Sequence, residues 1–155
     1  MGHEHSHTIS ALNTLISTTI DSITGYEDSA KNIREGRLAE NFRQRAKERQ
    51  QVVDELRAEV RRLGGEPEDG GSFLGKAHQR FEDLKAAVTG HNEQAIVNEV
   101  ERGEDYLKEK WQSALQSGDL KGESHDLVER CYQSIKAGHD EVSSLKHSME
   151  ASSHS

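Results

Sequence analysis

The chain is short of cysteine, proline and aromatic residues, and each shortage restricts what it can be. With Cys131 as its one cysteine, it can form neither an internal disulfide nor the cysteine pair of a zinc or redox motif. No apolar stretch approaches the roughly 18 residues of a membrane span, and the N-terminal MGHEHSHTIS lacks the pattern of a secretion signal. One proline and 5% aromatic residues are typical of long helices. We therefore expect a cytoplasmic helical protein.

The charge of the chain is negative overall. Twenty basic residues stand against 28 acidic ones, which gives a net charge of −8. The phosphate backbone of a nucleic acid or an anionic membrane surface would be repelled on average. The basic run from Arg43 to Arg49 contains Glu48 and lies within a helical pattern, which indicates a solvated face. We predict neither a nucleic-acid partner nor a membrane partner.

The spacing of the apolar residues predicts an all-α protein. Hydrophobic side chains recur every three or four residues, and no alternating run is long enough for a convincing strand. A short helix is predicted over 73–88, and the four long helices are predicted over 8–34, 38–63, 92–114 and 123–149. Gly36 is expected to end the first long helix, and Gly64 with Gly65 the second.

The connections between these helices predict how they are arranged. The length of the chain suits one domain, residues 9–150, between a flexible His-rich N-terminus, 1–8, and a disordered tail, 151–155. Short connections make the first two helices, and the last two, antiparallel pairs. The middle connection of roughly 28 residues can return along the bundle, so the second and third helices run parallel. This is a ferritin-like four-helix bundle with a long helical crossover.

Two charged residues interrupt the apolar faces of the middle helices. Arg49 lies on the inward face of the second helix and Glu104 on that of the third, in the stretch NEVERGEDYLKEKW. Parallel helices place both in one layer, and pairing makes their burial tolerable. Counting back from the hairpins, we expect Tyr26 and Tyr132 to supply further hydrogen bonds in this structural polar layer. The same counting sets His139 level with Val97, about two turns from Glu104 and outside the layer.

A metal centre is the alternative interpretation of the same region. Ferritin-like centres use glutamates together with Glu-x-x-His pairs. The candidate ligands for iron or manganese are Glu27, Glu48, Glu101 and Glu104, but none is followed by histidine three residues later. A salt-bridged layer and a mono- or dinuclear metal site are therefore both kept open.

Histidines outside this region have their own interpretations. His78, on the short helix, is expected to dock that helix on the bundle, with a ligand or acid-base role as the alternative. His3, His5 and His7 are closely spaced imidazoles, which suit a peripheral copper, nickel or zinc site. No phosphate loop, serine triad or zinc-protease motif is recognisable, so nothing in the sequence favours a conventional enzyme.

Several motifs resemble a known family over residues 10–146. They are LNTLI from Leu12, GYEDSA from Gly25, ELRAEVRRLGGEPEDGGSFLGKAHQRF from Glu55, ERGED from Glu101 and HDEV from His139. Together they resemble a bacterial family of stand-alone four-helix-bundle proteins, a domain of unknown function placed in the ferritin-like superfamily. The resemblance implies a ferritin-like bundle with a helical connector, and relatives that bind iron or manganese. The resemblance also indicates five positions of functional interest: Arg49, His78, Glu101, Glu104 and His139.

Three functional hypotheses follow. The first is a stress-associated binding or structural protein whose polar layer is structural. The second is a degenerate di-metal carboxylate oxidoreductase that uses iron or manganese. The third is a helical interaction module, in which a homo-oligomer or a protein partner covers Phe73 and Leu74.

Overall fold

Four α-helices make up the part of the chain that the computed structural model describes, residues 5–70 and 93–153. They are α1 (Ser6–Asn32), α2 (Gly36–Arg62), α3 (Glu93–Gln116) and α4 (Gly122–Ser153). No strand occurs within these ranges. The predicted all-α four-helix bundle is confirmed. The predicted short helix over 73–88, with His78, Phe73 and Leu74, lies outside the described residues, as does His3.

The corner between α1 and α2 differs from the sequence prediction. Gly36 was expected to end the first helix, but it is the first residue of α2, because α1 already stops where Ile33 is extended. Glu35 caps the new helix: its Oε1 accepts from the Arg37 N–H at 3.0 Å and its Oε2 from the Leu38 N–H at 2.8 Å. This carboxylate satisfies two of the backbone donors left free at a helix start.

The end of α2 follows from its two glycines, as the sequence predicts. Gly64 has a φ of 86°, a left-handed conformation that favours glycine. Its N–H donates to the Arg61 carbonyl at 3.0 Å, and the Gly65 N–H donates to the Val60 carbonyl at 2.9 Å. This pair of bonds is a Schellman motif. A Cβ on Gly65 would lie 2.9 Å from Ile9, so the turn also packs closely on α1.

Contacts at the helix ends define the topology. Glu93 Oε1 accepts from the backbone N–H groups of Arg34 and Glu35 at 3.1 and 3.3 Å, so α3 starts beside the start of α2 and the two run parallel. At the other end Thr8 Oγ1 donates to the Asp119 carbonyl at 2.5 Å. Because α1 and α4 each pack against both α2 and α3, the parallel helices α2 and α3 face each other across the diagonal.

The core is built from the inward faces of all four helices. Trp111 of α3 is completely buried, and its indole N–H donates to Thr19 Oγ1 at 3.3 Å. The other hydrophobic side chains without exposed surface are Leu12, Ile16, Phe42, Val53, Leu56, Val60, Ile96, Val97, Val128 and Ile135. Among the described residues, no helix is both long enough and apolar enough to cross a membrane.

The first and last helices extend beyond the predicted domain of residues 9–150. α1 begins at Ser6, within the segment 1–8 that is predicted to be flexible. α4 continues to Ser153, into the segment predicted to be a disordered tail.

Candidate functional site

A buried ion pair joins α2 and α3 across the diagonal of the bundle. Arg49 donates from Nη1 to Glu104 Oε1 at 2.8 Å and from Nη2 to Glu104 Oε2 at 2.9 Å. The side chains are 0% and 1% exposed. A fork of this kind matches the planar guanidinium to both carboxylate oxygens, which is the strongest geometry for such a pair. The structure therefore brings together the two residues that interrupt the apolar faces in the sequence.

Residues of α1 and α2 complete this buried layer. Ser22 Oγ accepts a further hydrogen bond from Arg49 Nη1 at 2.8 Å. The Arg49 guanidinium lies 5.7 Å from the centre of the Tyr26 ring, which in turn meets Phe42 edge-on. The Tyr26 hydroxyl is buried and has no hydrogen-bond partner in the described part of the chain. Tyr26 thus contributes its aromatic face, and its hydroxyl lies near enough to Glu104 for that carboxylate to raise the pKa of the phenol without making a hydrogen bond of good geometry. Ser22 contributes the hydrogen bond.

The electrostatics of the layer keep Arg49 and Tyr26 in fixed protonation states. Burial alone would lower the pKa of the Arg49 guanidinium, but the adjacent Glu104 carboxylate more than offsets that effect and raises it. Burial, and then the negative charge of Glu104, raises the pKa of Tyr26 well above 10. Arg49 is therefore charged and the Tyr26 phenol is neutral at any physiological pH.

Gly138 of α4 makes the space that Arg49 occupies, and its role was not predicted from the sequence. A Cβ on Gly138 would overlap Arg49 Nη2 and would lie 3.1 Å from Arg45 Cδ. A glycine inside a helix usually costs about 1 kcal/mol relative to alanine, so its presence here has a packing reason. A signal was available, because Gly138 stands on the inward face between Ile135 and Val142, where a hydrophobic residue is due.

Arg45 forms a second, outer set of ion pairs one turn before Arg49. Its guanidinium pairs with Glu48 at 2.6 Å and with Glu141 of α4. Its own side chain is 8% exposed, but the two glutamates are 49% and 52% exposed. Asn41 donates to the other Glu141 oxygen at 2.9 Å. These contacts join α2 to α4 at the edge of the buried layer.

The carboxylates proposed as metal ligands point to different partners. Both oxygens of Glu104 are taken by Arg49, and Glu48 pairs with Arg45 at the surface. Glu101 accepts from Lys146 Nζ at 2.9 Å, and Glu27 is exposed on α1. A cation at Glu104 would have to displace a guanidinium held by two short hydrogen bonds. The donor set therefore does not fit an iron or manganese centre at mid-bundle.

The hairpin of α3 and α4 has a different register from the one expected. His139 Nε2 lies 2.6 Å from Asp105 Oδ1 and its Nδ1 lies 3.1 Å from Asp140 Oδ1, so His139 is level with Asp105, not Val97. The Tyr132 hydroxyl accepts from Gln112 Nε2 at 2.9 Å, about two turns from Glu104. Both predictions are wrong: Tyr132 takes no part in the layer, and His139 flanks it.

The connection between the two helices explains the shift. Asp119 accepts from Thr8, and Leu120 is buried, so the segment 117–121 packs across the end of the bundle. α4 consequently begins beyond the end of α3 instead of beside it, and every α4 residue is displaced along the axis. Counting from the middle of the connection could not reveal this displacement.

Cys131 is a buried thiol at the seam of α2 and α4. Its Sγ donates to Glu55 Oε2 at 3.3 Å. Burial, and then this carboxylate, raises the pKa of Cys131 to about 12. Because the thiolate is the reactive form, the raised pKa and the burial of Cys131 both disfavour its reaction at neutral pH.

The fold and the site together define a class of protein: an all-α four-helix bundle that is closed at mid-height by a buried ion pair. Within that class, the chain belongs to the family described as "Domain of unknown function (DUF2383)", whose profile matches residues 7–117. The matched range contains both Arg49 and Glu104 and ends just after α3. A comparison with curated proteins finds no match.

Proposed function

We propose that this protein is a non-catalytic binding or structural bundle, in which the mid-bundle layer holds the helices in register. The observation that carries the proposal is the two-pronged pair of Arg49 with Glu104, because both oxygens of this mid-bundle carboxylate already accept hydrogen bonds from Arg49 and neither is free for a metal. A buried pair that is lost if the helices slip favours one arrangement of the helices over others. Because the pair joins α2 to α3 across the diagonal, a shift of either helix along the bundle axis would separate Arg49 from Glu104.

The rival function, a degenerate di-metal oxidoreductase, lacks the donors it requires. Each proposed ligand other than Glu27 is already paired with a cation of the chain, and Glu27 is exposed on the outer side of α1. The positive charge of Arg49 would also repel a second cation in the low-dielectric interior. The arrangement therefore supports packing and binding roles better than oxygen or peroxide chemistry.

Metal loading of the full chain tests this proposal. Deleting residues 1–8 would remove the first turn of α1 and the Thr8 contact with Asp119, so the terminal histidines are better replaced as His3→Ala, His5→Ala and His7→Ala. The variant is loaded anaerobically with iron or manganese and analysed by plasma mass spectrometry. We expect no iron or manganese whose retention depends on the mid-bundle glutamates, and no rise in Tm with either ion that is lost when those glutamates are replaced.

Matched variants make the result decisive. The Glu104→Gln variant is expected to be less stable than the wild type. Glu48→Gln and Glu101→Gln are therefore included as variants that should stay folded, because the partners of these two glutamates lie nearer the surface. Near-stoichiometric iron that disappears in all three variants would overturn the proposal in favour of the oxidoreductase. Four further points are predictions from the sequence: the stress association, the cytoplasmic location, the ferritin-like superfamily placement, and a homo-oligomer or protein partner.

A further inference from the structure

Three side chains near the start of α4 bring metal-binding atoms together, away from the buried layer. They are His125, Asp126 and Glu129, here called the α4 trio. One ligand atom from each lies within 4.8 Å of the other two, and His125 Nδ1 is 3.6 Å from Glu129 Oε2. Residues four apart share a helical face, so α4 itself holds His125 and Glu129 side by side.

We propose that the α4 trio binds one divalent transition-metal ion of the zinc class. Zinc bonds to histidine nitrogen and carboxylate oxygen are about 2.0–2.2 Å long, so two ligands of one ion lie no more than about 4.4 Å apart. The His125 to Glu129 separation already meets this limit. Asp126 and Glu129 are exposed, so they can adjust their rotamers without disturbing the core.

The donor set selects the class of ion. One imidazole nitrogen with two carboxylate oxygens suits zinc, nickel or cobalt, whereas calcium and magnesium prefer all-oxygen sites. A cation between Asp126 and Glu129 also relieves the repulsion between their negative charges. Three protein ligands leave a coordination position for water or an external ligand, which is the arrangement of an open rather than a structural site.

The surroundings of the trio dictate the controls. The contact of Thr8 with Asp119 places the start of α1 at the same end of the bundle, so His5 and His7 are competing imidazoles. The same helix also contains His147 and Glu150, with Nδ1 and Oε2 3.8 Å apart. That pair has a similar histidine-to-glutamate geometry, but among the described residues it is not part of a trio of ligand atoms. His147→Ala is therefore the matched control for His125→Ala.

Zinc titration of the full chain tests the proposal. The background is the His3→Ala, His5→Ala, His7→Ala variant, and Zn²⁺ binding is measured by calorimetry at neutral pH, with Co²⁺ absorption as a report on ligand geometry. We expect one equivalent of Zn²⁺, with affinity that falls in His125→Ala and Glu129→Gln by at least about tenfold, the loss typical of removing even an outer partner of a metal ligand. His147→Ala should bind as the background does.

Two outcomes of the zinc titration would count against the α4 trio as the binding site. Affinity unchanged in both His125→Ala and Glu129→Gln, or reduced as much by His147→Ala, would overturn the proposal. Far-UV circular dichroism checks that each variant folds, and these exposed positions allow it. The test is independent of the mid-bundle proposal, because it uses no residue of the Arg49 and Glu104 layer.

Discussion

Arg45 and Arg49 lie one turn apart on α2 and both pack against Gly138, yet their environments differ. Arg49 is paired inside the bundle with a carboxylate that is 1% exposed. Arg45 is paired at the edge, with two glutamates that are about half exposed. The same side chain therefore forms an interior layer at one position and a surface bridge at the next.

The difference shows how location determines the energetic role of an ion pair. Water and salt screen the Arg45 bridges, so each is worth little on its own. The interior pair is screened much less, and its attraction acts against the cost of removing two charges from water. Its main effect lies in what happens when one partner is lost, because the other is then left charged and buried.

The largest expected effect is at Glu104. Glu104→Gln removes the charge that compensates Arg49, and we expect the free energy of unfolding to fall by about 3–5 kcal/mol, as for other broken buried pairs. Urea unfolding followed by the fluorescence of Trp111, the one tryptophan, measures the loss. A loss below about 1 kcal/mol would show that the layer is screened like the Arg45 bridges.

Replacing Gly138 compares the packing of the two arginines against α4. Gly138→Ala should destabilise the protein by about 1–3 kcal/mol, because the new methyl group overlaps Arg49 Nη2 in a filled interior. Gly103→Ala is the control, since a Cβ there meets nothing within 4 Å. That control should stabilise α3 by up to about 1 kcal/mol. Equal gains in both variants, measured by Tm, would mean that Arg49 is not held against α4.

Acid should weaken two ion pairs outside the Arg49 layer while the protein is still folded: Glu141 with Arg45, and Glu59 with Arg62 near the end of α2, which are 2.6 Å apart. Hydrogen bonds from Arg62 lower the pKa of Glu59, and those from Asn41 lower that of Glu141, although burial opposes both shifts. The unfolded chain then binds more protons, so their contribution is full above about pH 4.3, the ordinary glutamate pKa, and declines as pH falls through the folded values. Urea midpoints between pH 7 and pH 3 should show this slope, and Glu59→Gln with Glu141→Gln should reduce it. An unchanged slope would contradict the assignment.

A smaller effect is expected at Glu141. Glu141→Gln should cost less than about 1 kcal/mol, because Glu141 is half exposed and Arg45 keeps its pairing with Glu48. The difference from wild type should shrink further in 1 M salt, whereas the loss in Glu104→Gln should persist. A salt-independent loss of several kcal/mol at Glu141 would show that the pair of Arg45 with Glu141 is shielded from solvent in the same way as the pair of Arg49 with Glu104.

The smallest effect is expected at Tyr26. Its hydroxyl has no hydrogen-bond partner among the described residues, so Tyr26→Phe should change stability by less than about 1 kcal/mol in either direction. The ring that faces Arg49 and Phe42 is retained. Tyr26→Leu, which removes that ring, should cost more in the same urea titration. A Phe variant as unstable as the Leu variant would show that the hydroxyl is bonded.

The sequence predicted those features that depend on local pattern. The four helices follow from apolar spacing, and the end of α2 follows from the two glycines. The placement of Arg49 opposite Glu104 also follows from counting, because parallel helices with nearby starts preserve their register over a few turns. Glu93 fixes those starts by contacting the backbone of Glu35.

Features that depend on tertiary geometry were not predicted. The axial shift of α4, set by packing of the segment 117–121, put His139 beside Asp105 and Tyr132 beside Gln112. The room at Gly138 depends on the rotation of α4 about its axis, which no spacing rule supplies. The trio around His125 was missed because its members are neighbours on an exposed face, where histidine and acidic residues are common.

A double-mutant cycle on Arg49 and Glu104 tests the central claim most directly. Arg49→Met and Glu104→Leu are made singly and together, and the free energy of unfolding is measured in urea. We expect large losses in the single variants and recovery of most of the stability in the double variant, because apolar side chains can fill the same space without a buried charge. Losses that add within about 0.5 kcal/mol would show that the two residues do not interact and would contradict the account.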